Sequence, residues 1–384
     1  MKVIIVGAGI GGLTTAIALQ LRGIAYEIYD GAPGNRPLGA GITLGVNAMR
    51  VYERLGVATA IQQVAMLPTY LNICTNSGTV LQSIRNAAME GHYGTGTYGI
   101  HRATLQQILL DHVDQPVQWG KRCLSIIEGT DHVAVHFSDG SEAKANIVIG
   151  ADGIRSAVRE SHIETGRYRY SGQTCWRAIV PIDLPAKELV TASEVWSNKG
   201  GGLRAMYMQV GPKQVYWWMT VGRPEGSQWV PDQALAFIRE QLRDFHDYMP
   251  QVLEALRPEY LIHGDLHDLA PLRSWYRGRV VLVGDAAHAT TPNIGQGAGQ
   301  AIEDAWVLAH SLAITENYSS AFERYQQVRI KRAQKIVDVS WQLGQLTNWK
   351  GRLLTSLRNG LMRSVPERMM ERQLKYMFGV TLEG

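Results

Sequence analysis

The 384-residue chain is short of cysteine, of charge bias and of long apolar runs, and each shortage narrows what it does. Cys74, Cys123 and Cys175 stand far apart with no CxxC pair, which argues against a disulfide framework or a zinc site and fits a reducing compartment. The formal charge is +4 with no conspicuous run of one sign, so neither nucleic acid nor a membrane surface is expected as a partner. No stretch approaches the ~18 apolar residues that a spanning helix needs. The opening run Val3–Val6 is far too short for a signal peptide, and glycines interrupt it at once. A soluble, cytoplasmic protein is expected. HExxH, paired metal ligands and a Ser/His/Asp constellation are also missing, so no metal and no side-chain nucleophile is expected.

What is present is an ordinary globular composition, 45% hydrophobic and 19% charged, on a chain long enough for two domains. Residues 2–30 read as strand, glycine turn, helix, strand. Two further apolar strands ending in Gly/Asp turns follow much later, at Ile147–Gly150 and Arg279–Asp285. One nucleotide-binding domain assembled from separate segments is therefore expected, over 1–70, 98–172 and 263–330. Residues 173–262 differ: runs such as Leu203–Met208 and Val215–Thr220 are rich in aromatic and β-branched residues and broken by Gly/Pro turns. They predict an inserted β-sheet domain, joined by 71–97. Helical spacing returns at 231–256 and from about 298 onward, with 331–384 as a C-terminal helical segment.

The first motif is Gly7-x-Gly9-x-x-Gly12, with Gly11 inside it. Gly7 permits the tight turn, Gly9 lets backbone approach a pyrophosphate, and Gly12 lets the helix pack on the strand. The helix N-terminus offers N–H groups to phosphates. Asp30, at the end of the next strand, is placed to accept from ribose hydroxyls. This pattern alone does not separate FAD from NAD. The third segment does: Asp285 ends a strand where it can bond a sugar-like chain. Pro292, Gly295, Gly297, Ala298 and Gly299 then open a new helix whose dipole suits negative charge on a reduced flavin.

Together the three segments resemble the FAD-dependent aromatic-ring hydroxylases, the p-hydroxybenzoate hydroxylase-like flavoprotein monooxygenases. GAGIGG resembles their FAD fingerprint, Asp152-Gly153-Ile154-Arg155-Ser156 their second motif, and Gly284-Asp285 their ribityl motif. The resemblance covers most of the chain. It implies an α/β fold: a discontinuous Rossmann-like FAD-binding domain, an inserted β-sheet substrate domain and C-terminal helices. It also implies FAD as cofactor, NADH or NADPH as transient co-substrate, and oxygen transfer through a flavin C4a-hydroperoxide to a small aromatic substrate, by a monomer or homodimer. Arg102 matches a position that reaches the FAD, and Arg36 lies near one where a basic residue faces it. His288 reads as a packed structural residue rather than a catalyst.

Within the family the pattern is similar to FAD-dependent urate hydroxylases and zeaxanthin-epoxidase-like proteins. Arg204 and Tyr216, on adjacent predicted strands, fall where urate hydroxylases carry an Arg and a Tyr facing the flavin, and they are the candidate catalytic residues. A guanidinium suits a planar anionic heterocycle. Asn293 departs from the acid that some urate hydroxylases carry there. Strand alternation puts Tyr216, Trp218 and Thr220 on one face and Val215, Trp217 and Met219 on the other. With Met206 and Met208 this predicts a wide apolar pocket around one cation. An NAD(P)H-dependent flavin reductase or epoxidase of an isoprenoid, and a lipid-binding protein of the same fold, are the alternatives.

Overall fold

The computed structural model describes residues 1–35, 39–185, 191–246 and 248–379. Arg36 lies outside them. Four apolar segments far apart in sequence pair in parallel, in the order Val280–Leu282, Ile147–Gly150, Lys2–Val6, Ala25–Tyr29. A parallel strand covered on both faces needs no polar side, and Val3, Ile4, Ile5, Val148, Ile149 and Val281 are all fully buried. Val117–Gln118 extends one edge in parallel, and Tyr276–Arg277 closes the other antiparallel. The helix Ile10–Gln20 follows the first strand, and the helix Gly297–Ile314 packs closely on it. A Cβ at Gly11 would lie 3.3 Å from the Ala301 Cβ, so glycine there sets the helix–helix distance. A three-stranded antiparallel meander, Cys123–Glu128, Val133–Phe137 and Glu142–Ala145, precedes the strand Ile147–Gly150.

The second sheet has seven strands in the order Ile262–Leu269, Tyr168–Val180, Gln214–Gly222, Arg204–Gly211, Thr191–Trp196, Tyr70–Thr75, Val80–Arg85. Only the Thr191–Trp196 and Tyr70–Thr75 pair is parallel. The sheet's two faces separate cleanly. Trp176, Ala178, Ala205, Tyr207, Val215, Trp217 and Met219 pack with the helices Pro231–Leu242 and Met249–Ala255. Tyr216 and Trp218 lie with Met206 and Met208 on the opposite face. The strand Tyr168–Val180 crosses position 172, with its pairing shifted between Tyr170 and Thr174.

The helix Tyr318–Thr347 starts with the Asn317 side chain accepting from the Ser320 N–H at 3.0 Å and runs unbroken through position 330. The C-terminal segment drawn from 331 thus begins inside a helix. Arg352–Arg363 and Glu367–Phe378 follow, Pro366 standing just before the last. Among the described residues no helix is long and apolar enough to cross a membrane, and no cluster of His, Cys, Asp and Glu could hold a metal.

Candidate active site

The ends of the parallel strands and one face of the second sheet enclose a cavity of about 380 Å³. One end is backbone. Gly7 sits at φ +108°, and a Cβ there would lie 2.3 Å from the Ala151 carbonyl oxygen. At Gly12 a Cβ would come within 1.8 Å of the Gly7 carbonyl oxygen, so the helix can approach the turn only as glycine. Gly9 lines the cavity, and a Cβ there would meet nothing within 4 Å. An added group at Gly9 would fill the cradle instead of striking the protein, which fits a pyrophosphate laid along this backbone at the helix N-terminus. Ala151 and Gly153 line the cavity beside it.

Two predicted cofactor acids are turned to other work. The Asp30 carboxylate accepts from the Ala8 N–H and the Ala32 N–H, both at 2.7 Å, and so clasps the glycine turn to the next strand. Asp152 accepts from Ser156 Oγ at 2.5 Å and from the Val158 N–H at 3.2 Å, capping its own turn. Neither lines the cavity. Burial raises the Asp152 pKa, against those hydrogen bonds.

The other strand end supplies Asp285, which lines the cavity with Arg102, Pro292, Gly295, Gly297 and Ala298. Its side chain is exposed to the open cavity. The protein packed around that cavity desolvates the carboxyl and pushes its pKa above the ordinary carboxylate value, against the pull of His288 and Arg102. Its neighbours are held rigidly. His288 Nε2 meets Asp304 Oδ2 at 2.5 Å, which also accepts from the Gly284 N–H at 2.8 Å. Arg329 Nε donates to Asp304 Oδ1 at 2.7 Å, and both Arg329 and Arg332 bond Glu303. Burial alone would raise Asp304, but His288 and Arg329 hold it below the usual carboxylate range. His288 is thus held within this network, its ring tilted at 41° against Trp275 with the centroids 4.9 Å apart.

The opposite wall is made of side chains. Arg204 is 1% exposed; its Nη1 meets Glu194 Oε1 at 3.0 Å and its Nη2 donates to Asn293 Oδ1 at 2.6 Å. The register explains this: Trp196 pairs with Arg204, which sets Glu194 diagonally beside it on the same face. Asn293 is in turn fixed by donating to Thr291 Oγ1 and the Ser340 carbonyl, both at 2.9 Å. Tyr216 packs so closely on the strand Gly41–Leu44 that a Cβ at Gly41 would fall 2.4 Å from its ring. Burial raises the Tyr216 pKa, so the phenol stays neutral. Arg177, opposite Trp218 in the register, also lines the cavity, so the expectation of a single cation is corrected. The buried Nε atoms of Arg177 and Arg204 have no hydrogen-bond partner. Arg177 belongs to no motif of the sequence, although it lies two places from Cys175 on the same face of its strand. Glu194 carried no local signal at all.

This geometry agrees with the comparisons. Residues 1–340 match the family described as FAD binding domain. The chain belongs to that family. It is a flavoprotein monooxygenase, as are its relatives. It is 36% identical over 364 residues to the aurachin C monooxygenase/isomerase of Stigmatella aurantiaca, covering 94% of each chain. It is also 36% identical over 387 residues to the 2-heptyl-3-hydroxy-4(1H)-quinolone synthase of Pseudomonas aeruginosa, covering 98% of each. Among solved structures, Klebsiella pneumoniae HpxO complexed with FAD and uric acid superposes with a TM-score of 0.88 at 30% identity, over 99% of this chain and 96% of that one. The flavoprotein therefore shares the fold of that structure over its described residues.

Proposed function

We propose that this flavoprotein uses NADH or NADPH and O2 to hydroxylate a bicyclic heteroaromatic ring that carries an apolar tail. The observation behind this reading is a second chamber of about 240 Å³. It shares Thr43, Met206, Trp218, Pro292, Asn293 and Gly295 with the main cavity, so the two lie side by side. Its far wall is apolar: Leu71, Ile73, Ile84 and Met89 face Leu374, Met377 and Phe378 of the last helix. A bare ring such as urate would leave this chamber to water. A ring with an alkyl or isoprenoid substituent would fill it, and methionines adapt to chains of varied shape. The heptylquinolone named for the Pseudomonas relative has this form.

The Gly7–Gly12 cradle, Arg102, Asp285 and the turn and helix start at Gly295–Ala298 would hold FAD, which would supply electron transfer from NAD(P)H and oxygen activation. The chain's own residues position the ring. The Arg204 charge is already balanced by Glu194, so the guanidinium suits a neutral ring carbonyl better than a full anion. Tyr216 donates without ionising. Trp218 separates ring from tail and lies 5.6 Å below the Arg204 guanidinium. Closing the ring between these groups excludes water from the reacting face.

The test is a screen of stimulated NAD(P)H oxidation with oxygen uptake and product counted together. A 4-quinolone series with increasing 2-alkyl tails should show KM falling with tail length, by about threefold per added methylene until the chamber is full. Urate and salicylate should be poor substrates. Equal turnover of tailless and tailed rings would overturn the tail assignment, and NAD(P)H oxidation without oxygen uptake would favour the reductase alternative.

A further inference from the structure

The helix Arg352–Arg363 is folded with its polar side inward. Thr355 is 2% exposed and Arg358 0%, whereas Leu353, Leu354, Leu357 and Leu361 are 88%, 47%, 54% and 54% exposed. An ordinary surface helix does the reverse. The inward face is well satisfied: Arg358 Nη2 donates to the Ser197 carbonyl at 3.1 Å, and its guanidinium lies 5.0 Å over the Trp196 ring. Thr355 Oγ1 donates to the Asn198 carbonyl at 2.8 Å. Those bonds fix the rotation of the helix, so the leucine stripe at 353, 357 and 361 faces outward by construction.

The stripe has a cationic rim. Lys350, Arg352 and Arg363 are exposed on or beside this helix, and on the next helix the exposed Arg368 and Arg372 flank the exposed Glu371. From Val339 to Pro366 the chain contains no Asp or Glu. Read linearly these cations form no run, yet Arg352 and Arg363 stand at the two ends of the leucine stripe and Lys350 just before it. A second copy docking across a two-fold axis would set this basic rim against itself, which opposes association. The complementary surface is apolar in depth and anionic at its edge.

We propose that the face of Arg352–Arg363 docks on the surface of an anionic lipid bilayer, its leucines entering the acyl boundary and its cations meeting the headgroups. The helix lies in the interface and does not span it. It is also adjacent to the apolar chamber: Gln82, which lines that chamber, donates to the Met362 carbonyl at 3.4 Å. The inference does not depend on which ring the enzyme oxidises.

The experiment is cosedimentation of the full-length, FAD-loaded protein with phosphatidylglycerol-containing vesicles and with pure phosphatidylcholine vesicles. Binding should be confined to the anionic vesicles and should weaken several-fold between about 0.1 and 0.5 M salt. The triple variant Leu353→Ser, Leu357→Ser, Leu361→Ser should lose binding by about a hundredfold or more while keeping its FAD content and melting temperature. Arg352→Glu with Arg363→Glu should lose the preference for anionic vesicles. No cosedimentation with the anionic vesicles, or undiminished binding by the triple variant, would overturn the proposal. So would a dimer in sedimentation velocity that the leucine substitutions dissolve, because the face would then belong to a second copy.

Discussion

At one end of the cavity the protein presents backbone, at the other side chains, and the two ends tolerate change differently. The cradle of Gly7, Gly9 and Gly12 works by the lack of Cβ atoms, so its geometry is set by local chain conformation and by close approach of helix to strand. The wall of Arg204, Arg177, Tyr216 and Trp218 works by what its side chains hold, so its geometry is set by strand register and by distant partners such as Glu194 and Asn293. Damage to the first should act on the cofactor or on the fold itself. Damage to the second should act on the substrate.

The largest effects should come from the glycines, and the two that matter most should fail in opposite ways. Gly12→Ala would drive a methyl group to 1.8 Å from the Gly7 carbonyl oxygen, an overlap that rigid backbone cannot relieve. It should destabilise the fold by about 3 kcal/mol or more, read as a loss of soluble protein or a large fall in melting temperature. Gly9→Val should leave the apoprotein's melting temperature unchanged and abolish FAD retention, because a Cβ there meets nothing within 4 Å and the side chain it carries would fill the cradle. Normal flavin content in Gly9→Val would show that the pyrophosphate lies elsewhere.

On the side-chain wall the effect should be smaller and should spare the flavin. Arg204→Gln keeps polarity but removes the planar fork, so substrate Kd should rise by ~10–100-fold at unchanged FAD content. Coupling should fall too, with NAD(P)H oxidised to give peroxide in place of product, since a loosely held ring is not in position. Arg204→Lys should restore only part. Because Glu194 loses its cationic partner in Arg204→Gln and keeps only the Trp196 indole N–H, adding Glu194→Gln should recover stability but not substrate affinity. Wild-type coupling in Arg204→Gln would remove Arg204 from the substrate's contacts.

The same contrast explains what could be read in advance. The family and its fold were legible because strand, glycine turn and acid are neighbours in the chain: Val3 to Gly12, Ile147 to Gly153, Val280 to Asp285. The facing of Tyr216 and Trp218 was legible too, since alternation along one strand is local. What was not legible arises between elements. Asp30 and Asp152 sit at strand ends as expected, yet their carboxylates bond backbone and hydroxyl groups brought close by the turn geometry. The Glu194–Arg204 pair depends on which strands neighbour one another. The three-stranded meander at 123–145 escaped because its strands are short and carry many polar residues, among them Ser125, Glu128, His136, Glu142 and Lys144. The outward leucines of Arg352–Arg363 escaped because periodicity shows that a helix has an apolar side without showing where that side points.

The smallest effect, and the one that separates Asp285 from Asp304, is a pH dependence. Asp304 is held below its ordinary pKa by His288 and Arg329, so it contributes stability at neutral pH that is lost as pH falls through its depressed value. Asp285 has the opposite sign. Desolvation by the surrounding cavity walls raises its pKa, so its neutral form suits the apoprotein, and that contribution is lost as pH rises through the raised value. A ribityl hydroxyl donating to Asp285 would favour the ionised form, so FAD binding should expel a proton in this interval and weaken as pH falls through it. Asp285→Asn keeps an acceptor oxygen but loses the charge. It should weaken FAD binding only ~5–10-fold at neutral pH, flatten the acid limb of FAD affinity, and leave apoprotein slightly more stable than wild type at neutral pH. Titrations of apoprotein with FAD across the acid range, for wild type and variant, measure all three. If Asp285→Asn retains the wild-type acid limb, the titrating group belongs to the glycine end of the cavity or to the Asp304 network, and the ribityl assignment of Asp285 fails with it.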